Sequence, residues 1–223
     1  MPDPTFQIPA YFDYGATFLW ALSGALLAAR KGYAIPGILT VSFVSSVGGG
    51  LLRDGLFLQN GPPMVVRTPG YLGLIGAAVV VILLMGGRIQ RLRHLPHLIS
   101  LVDAIGLGAY AVVGMTMALA AGLSLPGVVL VGVVNSVGGG ILRDVLMRRE
   151  PSMFLPGTLE ESLALLGCLL FVGQVSAMGW SLKAAGWFTI ATTFLLRLGA
   201  IRFRIRSKSL PAFRESWDQP QGK

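Results

Sequence analysis

The residues in this chain best suited to chemistry come in two matching groups. Gly48, Gly49 and Gly50 are followed, two aliphatic residues later, by Arg53 and Asp54; Gly138, Gly139 and Gly140 are followed in the same way by Arg143 and Asp144. A guanidinium beside a carboxylate in an apolar stretch manages charge. It does not form or break bonds, and no nucleophile–base pair accompanies it. There is no HExxH and no GxSxG, and the glycine runs lack the preceding strand and following Lys-Ser/Thr of a phosphate loop. The reading is ion or solute handling rather than an enzyme, with no cofactor and no metal site.

The residues before each pair extend the pattern. Ser42, Ser45, Ser46, Gly49 and Arg53 recur at spacings of three and four, as do Gly132, Asn135, Ser136, Gly139 and Arg143. Such spacings share one helix face. A small, polar stripe on an otherwise Val-, Leu- and Ile-rich helix should avoid lipid. Either the stripe lines a water-filled path, or its Ser and Asn hydrogen-bond between helices. The glycines carry two readings as well. They let backbones approach closely, or they interrupt the helix and turn carbonyls towards a polar cavity, where irregular backbone is tolerated. The second predicts a bend or break at both runs.

Elements that can hold such stripes follow from composition. The 223-residue chain is 53% hydrophobic and only 13% charged, against about 25% charged in soluble domains, and its mean hydropathy is +0.69. It lacks the charge to cover a soluble surface. Its single cysteine, Cys168, excludes an internal disulfide framework. The net charge of +8 does not point to nucleic acid, because Lys and Arg gather at the ends of apolar segments. A start free of Lys and Arg up to Tyr14 speaks against a cleaved signal peptide.

Seven stretches approach the ~20 apolar residues that cross a bilayer, at 12–30, 36–58, 69–86, 101–122, 126–147, 157–177 and 183–201. Arg30 and Lys31, then Arg88, Arg91 and Arg93, then Arg148 and Arg149, then Arg202, Arg204, Arg206 and Lys208 fill the odd connections; Arg67 and Lys183 are alone on the even ones. The positive-inside rule places the N-terminus outside and the C-terminus in the cytoplasm of a cell inner membrane.

The chain also repeats itself. SSVGGGLLRDGL at 45–56 recurs as NSVGGGILRDVL at 135–146, an offset of 90 residues that also aligns Asp13 with Asp103, Gly24 with Gly114, Gly32 with Gly122 and Pro36-Gly37 with Pro126-Gly127. Three spans is an odd number, so the second copy must enter from the opposite side, as an inverted repeat. The expected fold is an all-α integral membrane protein of seven transmembrane helices, two inverted three-helix repeats plus a seventh helix. Its parts are an extracytoplasmic segment at 1–11, repeat one at 12–86, a basic cytoplasmic loop at 87–100, repeat two at 101–177, span seven at 183–201 and a basic cytoplasmic tail at 202–223.

A charge near the bilayer centre is costly, and neighbours in sequence do not face each other on a helix. Arg53 lies about 10 Å beyond the middle of its span at 1.5 Å per residue, a depth matched by Asp13. The repeat matches Arg143 with Asp103. The pairs Asp13–Arg53 and Asp103–Arg143 are therefore expected at opposite mouths. His94 and His97 read as solvated loop side chains, and Glu160 and Glu161 as acidic residues suited to a helix N-terminus.

The doubled GGGxxRD segment on spans two and five of a seven-span chain resembles the trimeric intracellular cation channel family, in its bacterial and archaeal branch, which overlaps a glycine-transporter-like family. The resemblance covers residues 10–200. It implies a homotrimer in membrane lipid, with one pore through each protomer lined chiefly by spans two and five bent at their glycines, and passage of monovalent cations, K⁺ before Na⁺. Carried over by motif, Gly48–Gly50 and Gly138–Gly140 are the bends, with Arg53, Asp54, Arg143 and Asp144 along or beside the pore. The competing function is secondary transport of a small solute such as glycine, because inverted repeats also build transporters.

Overall fold

The computed structural model describes residues 9–85, 88, 95–151, 154, 159–203 and 205, and among these there is no strand. The helices are α1 (Ala10–Arg30), α2 (Ile35–Leu52), a π-helical segment (Arg53–Leu58), α3 (Met64–Arg67), α4 (Pro69–Met85), α5 (Leu95–Ala120), α6 (Leu125–Leu146), α7 (Glu160–Ser176) and α8 (Leu182–Arg202). Among the described residues, five helical stretches are long and apolar enough to cross a membrane: Ala10–Arg30, Ile35–Leu58, Ile99–Ala120, Leu125–Leu146 and Leu182–Arg202. Pro69–Met85 and Ser162–Ser176 are apolar but shorter. His94, Arg91, Arg93, most of the 1–11 segment and the tail from 206 on lie outside the described residues. The helix α5 starts at Leu95, ahead of the apolar stretch expected at 101.

Local sequence sets the ends. Pro36 and Pro126 sit in the first turns of α2 and α6, where a missing N–H goes unnoticed. α1 and α5 end on left-handed glycines, Gly32 at φ 77° and Gly122 at φ 74°. The residue after each donates back across the turn, Tyr33 N to Ala28 O and Leu123 N to Ala118 O, both at 3.1 Å. This six-to-one closure is the usual helix stop at glycine, used twice at the offset of 90.

Each half has its own core. Leu22, Ile38, Val41, Ile75, Val79 and Ile82 bring α1, α2 and α4 together; Val112, Met115, Val128, Val131, Cys168 and Phe171 do the same for α5, α6 and α7. α8 joins the second half, packing on α5 and α7. The halves also reach into one another. Met147, at the end of α6, is buried in the first core, and Phe57, the residue 90 positions earlier, packs against the second.

In lipid, apolar burial does little to drive helices together and close packing of small residues takes over. A Cβ on Gly24 of α1 would lie 2.7 Å from Ser45 Cβ and 2.9 Å from Val41 O of α2. One on Gly114 of α5 would lie 2.9 Å from Asn135 Cβ and 3.0 Å from Val131 O of α6. These contacts are again copies, and they clamp α1 to α2 and α5 to α6 just where the polar stripes begin.

Candidate functional site, a polar cavity between α2 and α6

The two glycine runs meet. A Cβ on Gly48 would stand 3.1 Å from Gly139 Cα, and one on Gly138 would stand 3.4 Å from Gly49 Cα. A Cβ on Gly49 would lie only 2.3 Å from Asn135 O. Here the expectation of an interrupted helix is corrected. α2 runs as α-helix through Gly48, Gly49 and Gly50, and α6 runs through Gly138, Gly139 and Gly140. The glycines allow two backbones to cross in contact, which consumes the space a break would need. Regular geometry is lost later, and in one copy only: Arg53–Leu58 is a π-helical segment closed by Gln59 at φ 51°, whereas the equivalent turn of α6 stays α-helical to Leu146. The first copy has Gly55, with open space around its Cβ position, where the second has Val145.

A cavity of about 820 Å³ opens beside this crossing. Ser45, Ser46, Gly49, Gly50, Arg53 and Asp54 line it from the first copy, and Asn135, Ser136, Gly139, Gly140 and Arg143 from the second. Asp13 and Asp103 complete the charged wall. Gly48 and Gly138 sit behind this surface, in the helix contact. The serines are held by their own helices, Ser46 Oγ donating to Ser42 O at 3.0 Å and Ser136 Oγ to Val133 O at 2.8 Å, which leaves oxygen lone pairs for the cavity.

The charges pair differently from the sequence expectation. Arg53 Nε donates to Asp54 Oδ1 at 2.6 Å, and Arg143 Nε to Asp144 Oδ1 at 3.0 Å. The rule that adjacent residues diverge holds for the Cβ directions. An arginine stem is long enough to lie sideways along the helix and bring Nε to the next carboxylate. Asp13 instead accepts from the phenols of Tyr71 and of Tyr110, the latter at 2.5 Å. Asp103 accepts from the indole N–H of Trp20. The expected pairs Asp13–Arg53 and Asp103–Arg143 are thereby corrected. Arg53 has a second anchor, its NH1 donating to Asn135 Oδ1 at 3.4 Å, while Asn135 Nδ2 donates to Tyr110 O at 2.7 Å. Asp54 accepts from Met64 N at 3.0 Å through its other oxygen. The Arg53 side chain is 8% exposed and that of Arg143 25%.

Sequence reasoning passed over Trp20, Tyr71 and Tyr110. Two of them were open to detection, because Trp20 and Tyr110 are 90 residues apart. Their rings meet at 5.0 Å between centroids, and each donates to the aspartate of the other copy. Among the described residues no group of three His, Cys, Asp or Glu could hold a metal ion.

The profile of the family described as "Glycine transporter" matches residues 10–86 and 100–175. The chain belongs to that family. Another relative in sequence, the UPF0126 inner membrane protein YadS of Escherichia coli (strain K12), is 32% identical over 91% of this chain and 95% of its own length. A UPF0126 membrane protein of Vibrio cholerae is 33% identical over 90% of this chain and 81% of its own. The glycine transporter family fold is also that of solved TRIC channels. A TRIC cation channel solved to explain conductance superposes with a TM-score of 0.80 at 26% identity, over 92% of this chain and 98% of that one. The trimeric intracellular cation channel orthologue from Rhodobacter sphaeroides gives 0.71 at 32% identity, over 87% and 97%. The resemblance read from the doubled GGGxxRD segment holds, and the family member described here is a multi-pass membrane protein.

Proposed function

We infer that the chain is a cation channel whose path runs through the cavity between α2 and α6. The observation that carries this reading is the cavity wall: two polar stripes, on helices long enough to span a bilayer, converge on one 820 Å³ space. Ionisable side chains that face a cavity at membrane depth mark ion or solute paths. The likeness to TRIC cation channels supports the same reading. Bare guanidiniums would repel cations, but Arg53 closes on Asp54 and Arg143 on Asp144.

In this reading α4 and α7 complete seven spans. Each has 17 residues, the lower end of the roughly 17–25 that cross a bilayer. The halves are inverted repeats, a reading supported by the reciprocal contacts Gly48–Gly139 and Gly138–Gly49 and by the profile's match to both. The N-terminus faces outward, the basic loops face the cytoplasm, three copies assemble with a pore in each, and K⁺ is preferred.

The experiment is reconstitution of the purified chain in a planar bilayer under a KCl gradient. Discrete unitary currents reversing near the K⁺ potential are expected. Saturable uptake of glycine or another small solute, without unitary currents, would replace the channel with a secondary transporter. The observation favouring that second reading is the difference between the copies, π-helical after Arg53 and α-helical after Arg143, since repeats in unlike conformations are what alternating access exchanges.

A further inference from the structure

We propose that Asp13 is the cation-selecting charge of this path, and that Tyr71 and Tyr110 are the positioning residues that present it. The inference rests on the channel reading and names the group that would give the path its sign.

Charge accounting places Asp13 and Asp103 outside the two Arg–Asp pairs, and of these Asp13 is the one that two phenols hold. The cavity wall carries two guanidiniums, of Arg53 and Arg143, and three carboxylates, of Asp13, Asp54 and Asp103. Each guanidinium is closed on the carboxylate next to it in sequence, Arg143 using Asp144, which stands behind the wall. Asp13 takes no ion pair among the described residues, and its carboxylate is held by two neutral phenols from different helices, Tyr71 of α4 and Tyr110 of α5. The negative charge at this point of the cavity is therefore not cancelled by a bonded cation.

The phenols do more than satisfy it. A carboxylate offers about four lone-pair sites, and two donors leave the remainder for a passing ion. Each phenol oxygen also keeps acceptor capacity after donating its proton. Asp13, Tyr71 and Tyr110 thus hold a carboxylate and two hydroxyl oxygens together on the wall. Oxygen groups of this kind replace part of a cation's water shell, and fixed carboxylates bias a pore against anions. Tyr110 is tied in turn, its carbonyl accepting from Asn135 and its ring packed at a tilt of 56° against Trp20. Such support keeps the oxygens from collapsing onto the ion or turning away.

The test uses the full chain in planar bilayers, reading permeability ratios from reversal potentials. Asp13→Asn is expected to lower the K⁺ over Cl⁻ permeability ratio about tenfold, while Asp13→Glu keeps it within twofold. Tyr71→Phe combined with Tyr110→Phe leaves the charge and removes both donors. It is expected to keep K⁺ over Cl⁻ within twofold and to bring K⁺ over Na⁺ close to unity. A conducting Asp13→Asn channel with an unchanged K⁺ over Cl⁻ ratio overturns the proposal and leaves the channel reading standing. Absence of unitary currents from the unaltered chain overturns both. Should Asp13→Asn fail to assemble, the double tyrosine variant decides: the expected split between the two ratios supports the proposal, and any other result overturns it.

Discussion

Replacing Gly49 by alanine should separate the two readings of the glycine runs. The new Cβ would lie 2.3 Å from Asn135 O and 3.1 Å from Asn135 C, both backbone atoms. Ordinary contact begins near 3.4 Å, so α6 must withdraw by about 1 Å, since no flexible side chain can yield instead. Overpacking of this kind costs about 1–3 kcal/mol. The same movement pulls Asn135 from Arg53 and from Tyr110 O, and a buried hydrogen bond is worth about 1 kcal/mol. Helix propensity returns at most about 1 kcal/mol. The net expectation is a loss of about 2–3 kcal/mol, with Gly139→Ala milder because its Cβ would stand 3.0 Å from Ser45 O. Gly55→Ala serves as the control, since nothing lies within 4 Å of its Cβ position. Equilibrium unfolding of the purified chain in mixed micelles reads the difference. Were Gly49→Ala as stable as Gly55→Ala, with conductance alone reduced, the close-contact argument would fail and a hinge at Gly49 would replace it.

Other changes follow from the same geometry. Asp54→Asn leaves the Arg53 guanidinium buried without its carboxylate, at a cost of about 3 kcal/mol; Asp144→Asn should cost clearly less because Arg143 is more exposed, and equal losses in unfolding experiments would contradict the assignment. Gly108→Ala would set a Cβ 2.1 Å from Thr193 Oγ1 and 3.1 Å from Ile190 Cα, so it should loosen α5 from α8; Thr193→Ala should recover part of the loss, and a double-mutant cycle showing simple additivity refutes this. Cysteines at Ser45, Ser46 and Ser136, in a Cys168→Ala background, should react with charged thiol reagents and block current. Full protection in a conducting channel would remove them from the path.

Much of the molecule could be read from the sequence because lipid imposes few solutions. The offset of 90 aligned Gly24 with Gly114 and the two motifs with each other, and the aligned residues make copied contacts, Gly24 with Ser45 and Gly114 with Asn135. The partners of the charges were not legible. Depth and periodicity placed Asp13 near Arg53, yet they carry no information about which donor is nearer, and Tyr71 on α4 came from a helix without chemical punctuation. The π-helical segment was hidden as well. The two copies are equally long through the motif, and the difference lies in Gly55 against Val145 and in the Met64 N–H that reaches Asp54. The glycine runs were misjudged in one respect. Propensity counts the cost of glycine in an isolated helix, whereas here the partner helix occupies the vacated volume.

The adjacency of Arg53 and Asp54, and of Arg143 and Asp144, bears on biogenesis. A chain inserted span by span must bring Arg53 into lipid before α5 and α6 exist, so Asn135 and Tyr110 are not yet there to receive it. A counter-charge one residue away arrives with it. The pair, closed at 2.6 Å in the folded chain, can close within a single nascent segment, and a charge whose insertion costs at most about 2.5–3.5 kcal/mol, the figure for a helix centre, then enters as a neutral dipole. The same local closure serves Arg143 in the second copy. Each half therefore carries its own means of entering the bilayer, independent of the half that it will later grip.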